Sequence, residues 1–105
     1  MGSPDTIKQA VRLVCESSDV PAGFHGELMA AVMSFASPPV GMVPMDLPEE
    51  LAQFAVFSLA SRLLGDEETF HEYRKATLGD IAKRGWGLRT FLDLRTGTVW
   101  VDLPN

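Results

Sequence analysis

The fold is decided by one stretch of sequence, residues 47–84, which reads LPEELAQFAVFSLASRLLGDEETFHEYRKATLGDIAKR. Its apolar side chains recur every three to four residues on both sides of Gly65, which is the period of an α-helix. Since glycine commonly ends a helix, the pattern predicts two helices, residues 47–64 and 66–84, joined at this glycine. Two apolar stripes joined so closely should face each other. We therefore expect burial of Phe54, Phe57, Leu63, Phe70, Tyr73 and Ile81.

Polar residues mark where these two helices begin. Asp46 and Glu49 form a capping-box-like pair before the first helix, and Asp66 is placed to cap the second. The first helix carries little polar surface between Leu51 and Leu64. A helix that is apolar nearly all round lies at the centre of a core or in an interface.

Two more helices are predicted upstream, at residues 4–17 and 22–36. The first has an apolar stripe of Ile7, Ala10, Val11 and Val14. The second has an apolar stripe of Phe24, Leu28, Ala31, Val32 and Phe35. Both stripes repeat at helical spacing, so each helix should bury one face.

Residues 37–46 are predicted to be a loop, because Pro38, Pro39 and Pro44 interrupt any regular helix. The loop is nevertheless apolar, and its side chains should not all be in water. Two interpretations stay open: the loop folds over its own core, or it packs on a neighbouring subunit. The apolar residues concerned are Val40, Met42, Val43 and Met45.

The last twenty residues change from a helical to an alternating pattern. Residues 90–94 and 98–102 read as two strands around a turn that contains Gly97. A lone two-stranded hairpin is marginal in water, so it should lie on the helices or pair with another chain. The predicted fold is mainly α: one domain, residues 1–105, a four-helix bundle with residues 85–105 as a C-terminal β-hairpin or extended arm.

The charge of the chain is unevenly distributed. Its 105 residues carry a net charge of −5. Residues 1–72 hold three Lys or Arg and eleven Asp or Glu, whereas residues 73–105 hold six basic and three acidic residues. Opposite ends of opposite charge suit head-to-tail contact between identical copies. An acidic chain is poorly suited to direct nucleic-acid binding.

Targeting signals and catalytic patterns are not found in the sequence. No apolar run reaches the roughly 20 residues of a membrane span, and the start lacks the regions of a signal peptide. The histidines and Cys15 do not have metal-ligand spacing, and Lys75 stands where His71-Glu72 would need a second zinc-binding histidine. We therefore predict no catalytic, cofactor-binding or metal residues, and a protein that is not an enzyme.

Basic and aromatic residues concentrate near the end of the chain. This mixture is typical of a nucleic-acid platform and of a protein interface, and the net charge favours the interface. Tryptophan and arginine are also enriched at interface hot spots. The predicted interface residues are Trp86, Arg89, Phe91, Arg95 and Trp100, with Arg74, Lys75 and Arg84 from the preceding helix.

The segment MVPMDLPEEL, residues 42–51, and the apolar helix after it resemble phage head-tail connector (neck adaptor) proteins. The run LASRLLGDEE, residues 59–68, continuing into YRK at 73–75, is similar in style. Members of that family often have a longer loop or strand between their early helices. The resemblance implies a helical subunit of a homo-oligomeric ring between portal and tail proteins, without catalytic residues or cofactors, in the virion or the bacterial host cytoplasm.

A second hypothesis comes from the same charge pattern. The chain would then be a small non-enzymatic inhibitor or adaptor, such as an anti-defence, immunity or signalling module. It would bind one protein partner through its acidic face. The mass of the protein in solution, with and without a candidate partner, distinguishes the two hypotheses.

Overall fold

The computed structural model describes residues 4–17, 20–34, 37–87 and 89–102. Within them the chain is mainly helical, with four α-helices and a small antiparallel sheet of three strands. The helices are α1 Pro4–Ser17, α2 Ala22–Val32, α3 Glu49–Leu63 and α4 Glu67–Lys83. The strands are β1 Val43–Asp46, β2 Thr90–Asp93 and β3 Thr98–Val101. None of the helices in the described ranges is long and apolar enough to cross a membrane.

The third helix, α3, is the centre of the fold and packs against α1, α2 and α4. One of its faces is fully covered, with Leu51, Ala52, Val56 and Ala60 buried. The predicted stripe of α1 is confirmed, since Ile7, Ala10, Val11 and Val14 are all buried in the same core. Each large apolar side chain buried in this way contributes about 1.5–3 kcal/mol.

The hairpin of α3 and α4 forms where the sequence predicts it. Gly65 and Gly85 follow the two helices with positive φ angles of 76° and 75°, which glycine adopts without steric cost. Asp66 caps α4 as predicted, because its carboxylate accepts hydrogen bonds from the Thr69 N–H at 3.1 Å and hydroxyl at 2.7 Å. These two bonds lower the pKa of Asp66. The capping box at the start of α3 was wrong, since the residue that precedes α3 is Pro48.

The large side chains between α3 and α4 are less buried than predicted. Ile81 is buried, but Phe54, Phe57, Phe70 and Tyr73 are only half-buried, and Leu63 is exposed. Leu63 lies on the same face as Val56, but it is the last residue of α3, where neighbouring elements no longer cover that face. The rings of Phe57 and Tyr73 stack with centroids 4.6 Å apart and an interplanar angle of 10°.

The sheet corrects one prediction, because residues 43–46 of the predicted loop form a strand, whereas the two predicted C-terminal strands pair with each other. β1 pairs antiparallel with β3, and β3 pairs antiparallel with β2, giving the order β1-β3-β2. The C-terminal segment is therefore not a lone two-stranded hairpin, since a strand of the same chain completes it. Pro44 is tolerated in β1 because this strand is at the edge of the sheet, where a missing N–H is not needed.

The sheet belongs to the core of its own chain. Val99 and Val101 are 0% exposed and lie in the same cluster as the helix residues. In the loop before β1, Met42 is buried while Val40 is 97% exposed, so the loop both covers the core and projects outward. The second helix ends at Val32, earlier than predicted, and Phe35 and Ala36 lie outside the described residues.

Candidate protein interface

An open apolar groove of about 300 Å³ lies between α3, α4 and the end of β2. We call it the α3–α4 groove. One wall of the groove is a face of α3, whose lining residues lie three, four and seven positions apart. The opposite wall is a face of α4. The groove is lined by Ala55, Ser58, Leu59, Arg62, Phe70, Arg74, Thr77, Leu78, Leu92 and Leu94.

The groove exists because α3 has two apolar faces. One face, centred on Val56, is buried in the core. The other face, with Ala55, Ser58 and Leu59, lines the groove, and Leu59 also packs partly against the core. The sequence left a core and an interface open for α3. The core position is confirmed, and an interface on the second face stays a prediction.

Two hydroxyl groups in the lining do not make the groove polar. The Ser58 hydroxyl donates to the Phe54 carbonyl oxygen at 3.0 Å, and the Thr77 hydroxyl donates to the Tyr73 carbonyl oxygen at 2.8 Å. Each proton is therefore used within its own helix, four residues back. Only the acceptor capacity of the two hydroxyl oxygens remains for a molecule in the groove.

The charged residues of the groove lining are two arginines. The Arg62 guanidinium lies 5.9 Å from the centre of the Phe70 ring, where the face of the ring attracts a cation. Arg74 is exposed one helical turn after Phe70. Neither arginine makes an ion pair with another residue in the described part of the chain, and no acidic residue lines the groove. The groove thus combines an apolar floor with two arginines at its rim, and Glu67 lines a neighbouring hollow that shares Arg62 and Phe70 with the groove.

A second hollow of about 210 Å³ adjoins the groove and extends the apolar surface towards the end of α2. It shares Leu59, Leu92 and Leu94 with the groove and adds Ala31 and Phe91. The three shared leucines make the two depressions one continuous surface.

The structure brings some of the predicted interface residues to this surface. Arg74 lines the groove and Phe91 lines the adjoining hollow. Lys75 is exposed on α4 beside Arg74. Trp100 lies on β3 opposite Phe91, and its side chain points to the sheet face away from Val99 and Val101.

Other predicted interface residues have structural partners within the chain. The Arg84 Nε donates to the buried Asp80 carboxylate at 2.9 Å, and its guanidinium lies 5.5 Å from the centre of the half-buried Trp86 ring. Arg89 forms an exposed ion pair with Asp102, with Nη1 3.3 Å from the carboxylate, next to the ends of β2 and β3. Such an exposed pair contributes less than about 1 kcal/mol.

Arg95 is placed in the turn between β2 and β3. Its guanidinium lies 3.9 Å from the Asp93 carboxylate, across the turn. The side chain of Arg95 is partly exposed, at 36%, while that of Asp93 is mostly covered. The turn itself is closed by a hydrogen bond from the Gly97 N–H to the Asp93 carbonyl oxygen at 3.0 Å, and Arg95 is not among the residues that line the groove.

Sequence reasoning missed the residues that form the floor of the groove. Leu59 lies on α3, for which the sequence left a core and an interface open, and Leu78 lies on the predicted apolar stripe of α4; neither was named as an interface residue. Leu92 and Leu94 were expected in strands, but nothing in the sequence placed them against α3 and α4. One feature of the sequence does indicate a second apolar surface: α3 has more apolar positions than one core face can bury.

No three His, Cys, Asp or Glu side chains of the described ranges are grouped where they could hold a metal ion. Cys15 is half-buried, and burial, followed by the nearby Glu16 charge, raises the pKa of its thiol. Comparison of the chain with protein-family models, characterised proteins and solved structures finds no match.

Proposed function

We propose that this chain is a structural assembly protein, the subunit of a homo-oligomer such as the ring of a phage head-tail connector between portal and tail. The observation that carries the proposal is the α3–α4 groove, an open apolar surface with two arginines on its rim. In this proposal the helices act as a four-helix bundle that carries the C-terminal hairpin. The protein is not an enzyme and works in the virion or the host cytoplasm.

The chemistry of the groove supports a protein partner. Interfaces combine an apolar centre with a polar rim in which arginine is enriched, and the groove has this composition. Its floor offers leucine side chains, and the hydroxyls of Ser58 and Thr77 are already used within their helices. A polar small molecule would find few groups there to orient it.

The distribution of charge supports a partner of the same sequence. The 49 residues from 13 to 61 contain six Asp or Glu and no Lys or Arg. The groove rim, by contrast, carries Arg62 and Arg74. A contact between two different surfaces of identical copies is heterologous, and such contacts form rings when the rotation closes.

Sedimentation velocity over a range of protein concentrations tests the proposal. Two variants give a matched comparison: Leu78→Glu in the groove and Leu13→Glu on α1, with wild-type side chains 38% and 37% exposed. We expect the wild type and Leu13→Glu to associate with increasing concentration, and Leu78→Glu to remain monomeric. Circular dichroism should show the same helical signal in all three proteins.

Two results would contradict the proposal. One is a wild-type protein that is monomeric at about 1 mM, where a contact of only about −4 kcal/mol would already be half formed. The other is equal loss of association in Leu78→Glu and Leu13→Glu. A 1:1 complex with a different protein, in a wild type that never self-associates, would favour the adaptor or inhibitor hypothesis instead.

A further inference from the structure

We infer that the occupant of the α3–α4 groove is the outward face of α2 from a second copy of this chain. This inference rests on the proposed function, because it names the contact by which the copies assemble. It starts from an observation on α2 that the fold of one chain leaves unexplained. Four apolar or glycine positions of α2 and Met33, the residue that follows it, share one exposed side at the spacing of a helical stripe; the four are Ala22, Gly26, Met29 and Ala30.

The two methionines make this face a candidate for insertion into a groove. Met29 is 37% exposed and Met33 is 51% exposed, one helical turn apart. Leu28 and Val32 hold the opposite side of α2 in the core of its own chain. A helix that lays an apolar face into a hydrophobic groove is a recurrent mode of recognition, and flexible methionine side chains fill irregular surfaces.

Charge complementarity indicates that the two surfaces belong together. Glu27 is the acidic residue of α2, is exposed, and makes no ion pair with the other described residues. The groove has Arg62 and Arg74 on its rim and no acidic lining residue. The apolar face of α2, with the Glu27 carboxylate beside it, therefore fits the apolar groove, with the Arg62 and Arg74 guanidinium groups beside it. Opposite charges at a rim favour the encounter and fix its orientation.

The contact joins different surfaces, so its two halves can be inactivated separately. Met29→Glu with Met33→Glu removes the α2 face and leaves the groove intact. Leu78→Glu removes the groove and leaves the α2 face intact. All three positions are at the surface, so both variants should keep their helical signal and cooperative melting.

Mixing these two variants is the decisive experiment. Each should be monomeric alone, whereas their equimolar mixture should form a 1:1 heterodimer, because one intact face and one intact groove remain. The measured mass of the mixture should not exceed that of two chains, since the α2 face of one variant and the groove of the other are disabled. Leu13→Glu serves as the control and should associate as the wild type does.

A charge exchange tests the same contact without apolar substitutions. Glu27→Arg alone and Arg74→Glu alone should each weaken association about 3- to 10-fold, as expected for a rim pair turned into repulsion. The double variant should recover most of that loss. The charge exchange also tests the contact if the methionine variant or Leu78→Glu fails to fold, since Glu27 and Arg74 are both exposed.

The outcomes separate this inference from the proposed function. If Leu78→Glu is monomeric but the methionine variant still associates, the groove has another occupant: the inference is wrong and the assembly proposal stands. Two monomeric variants that fail to combine, or a charge exchange without recovery, also overturn the inference. A wild type that is monomeric at about 1 mM overturns both.

Discussion

Replacing Val101 by alanine tests whether the sheet is part of the core of its own chain. The Val101 side chain is 0% exposed, and its partner across β1 and β3 is Val43, which is 43% exposed. Val→Ala removes two methylene equivalents, worth about 1.6 kcal/mol at full burial. The cavity left behind raises the expected loss at Val101 to about 2–3 kcal/mol. At Val43, where just over half of the side chain is covered, the loss should be about 0.9 kcal/mol or less.

Urea denaturation followed by circular dichroism measures both losses. The pair is matched because the same substitution removes the same atoms from two residues that face each other across β1 and β3. We expect Val101→Ala to be less stable than Val43→Ala by about 1–2 kcal/mol, a difference in Tm of roughly 4–16 °C for a domain of this size. Equal losses at the two positions would refute the assignment of β3 to the core.

Three further predictions follow from the fold. A chain that ends at Arg84 lacks β2 and β3, so it should lose cooperative melting; a truncated protein that melts like the wild type would contradict this. Asp66→Asn should destabilise the protein at about pH 7, where the Asp66 carboxylate is charged. The loss should shrink as the pH falls from the ordinary pKa of 3.8 through the lowered pKa of the folded protein, because the hydrogen bonds from Thr69 favour the charged carboxylate. A loss independent of pH would contradict this assignment. A double-mutant cycle of Phe57→Leu and Tyr73→Leu should give a coupling of about 0.5–1.5 kcal/mol from the stacked rings, and strict additivity would mean that the rings do not interact.

Much of the helical structure could be predicted from the sequence because its signals are local. The stripe of α1 repeats at helical spacing, and its side chains are buried. Gly65 and Gly85 end α3 and α4, and Asp66 caps α4 through Thr69. Each of these features depends on residues within about one turn of each other, so neighbouring chain segments are not needed to infer them.

The first strand could not be predicted because its reason is not local. Pro44 marks residues 37–46 as irregular, and only the pairing of β1 with β3, far along the chain, makes a strand there possible. The same pairing removes Asp46 from the predicted capping box, because Asp46 is the last residue of β1. A proline at a sheet edge and a proline in a loop look alike in a sequence.

The candidate interface was predictable only in part. The apolar excess of α3 indicates a core or an interface, and the sequence predicts Arg74 and Phe91, which line the groove and the adjoining hollow, as contact residues. The position of Leu92 and Leu94 against α3 and α4 depends on how the sheet packs, which periodicity does not encode. The exposed stripe of α2 was missed because Phe24, Leu28 and Val32 already explained that helix as amphipathic.

The most direct test of assembly through the α3–α4 groove is methyl NMR of selectively labelled leucines over a range of protein concentrations. The groove leucines are Leu59, Leu78, Leu92 and Leu94, and Leu13 on α1 is an internal reference with similar exposure to Leu78. We predict that the methyl signals of the groove leucines shift with increasing concentration while those of Leu13 do not. Signals that shift at Leu13 and not in the groove, or no shift at about 1 mM, would contradict the account.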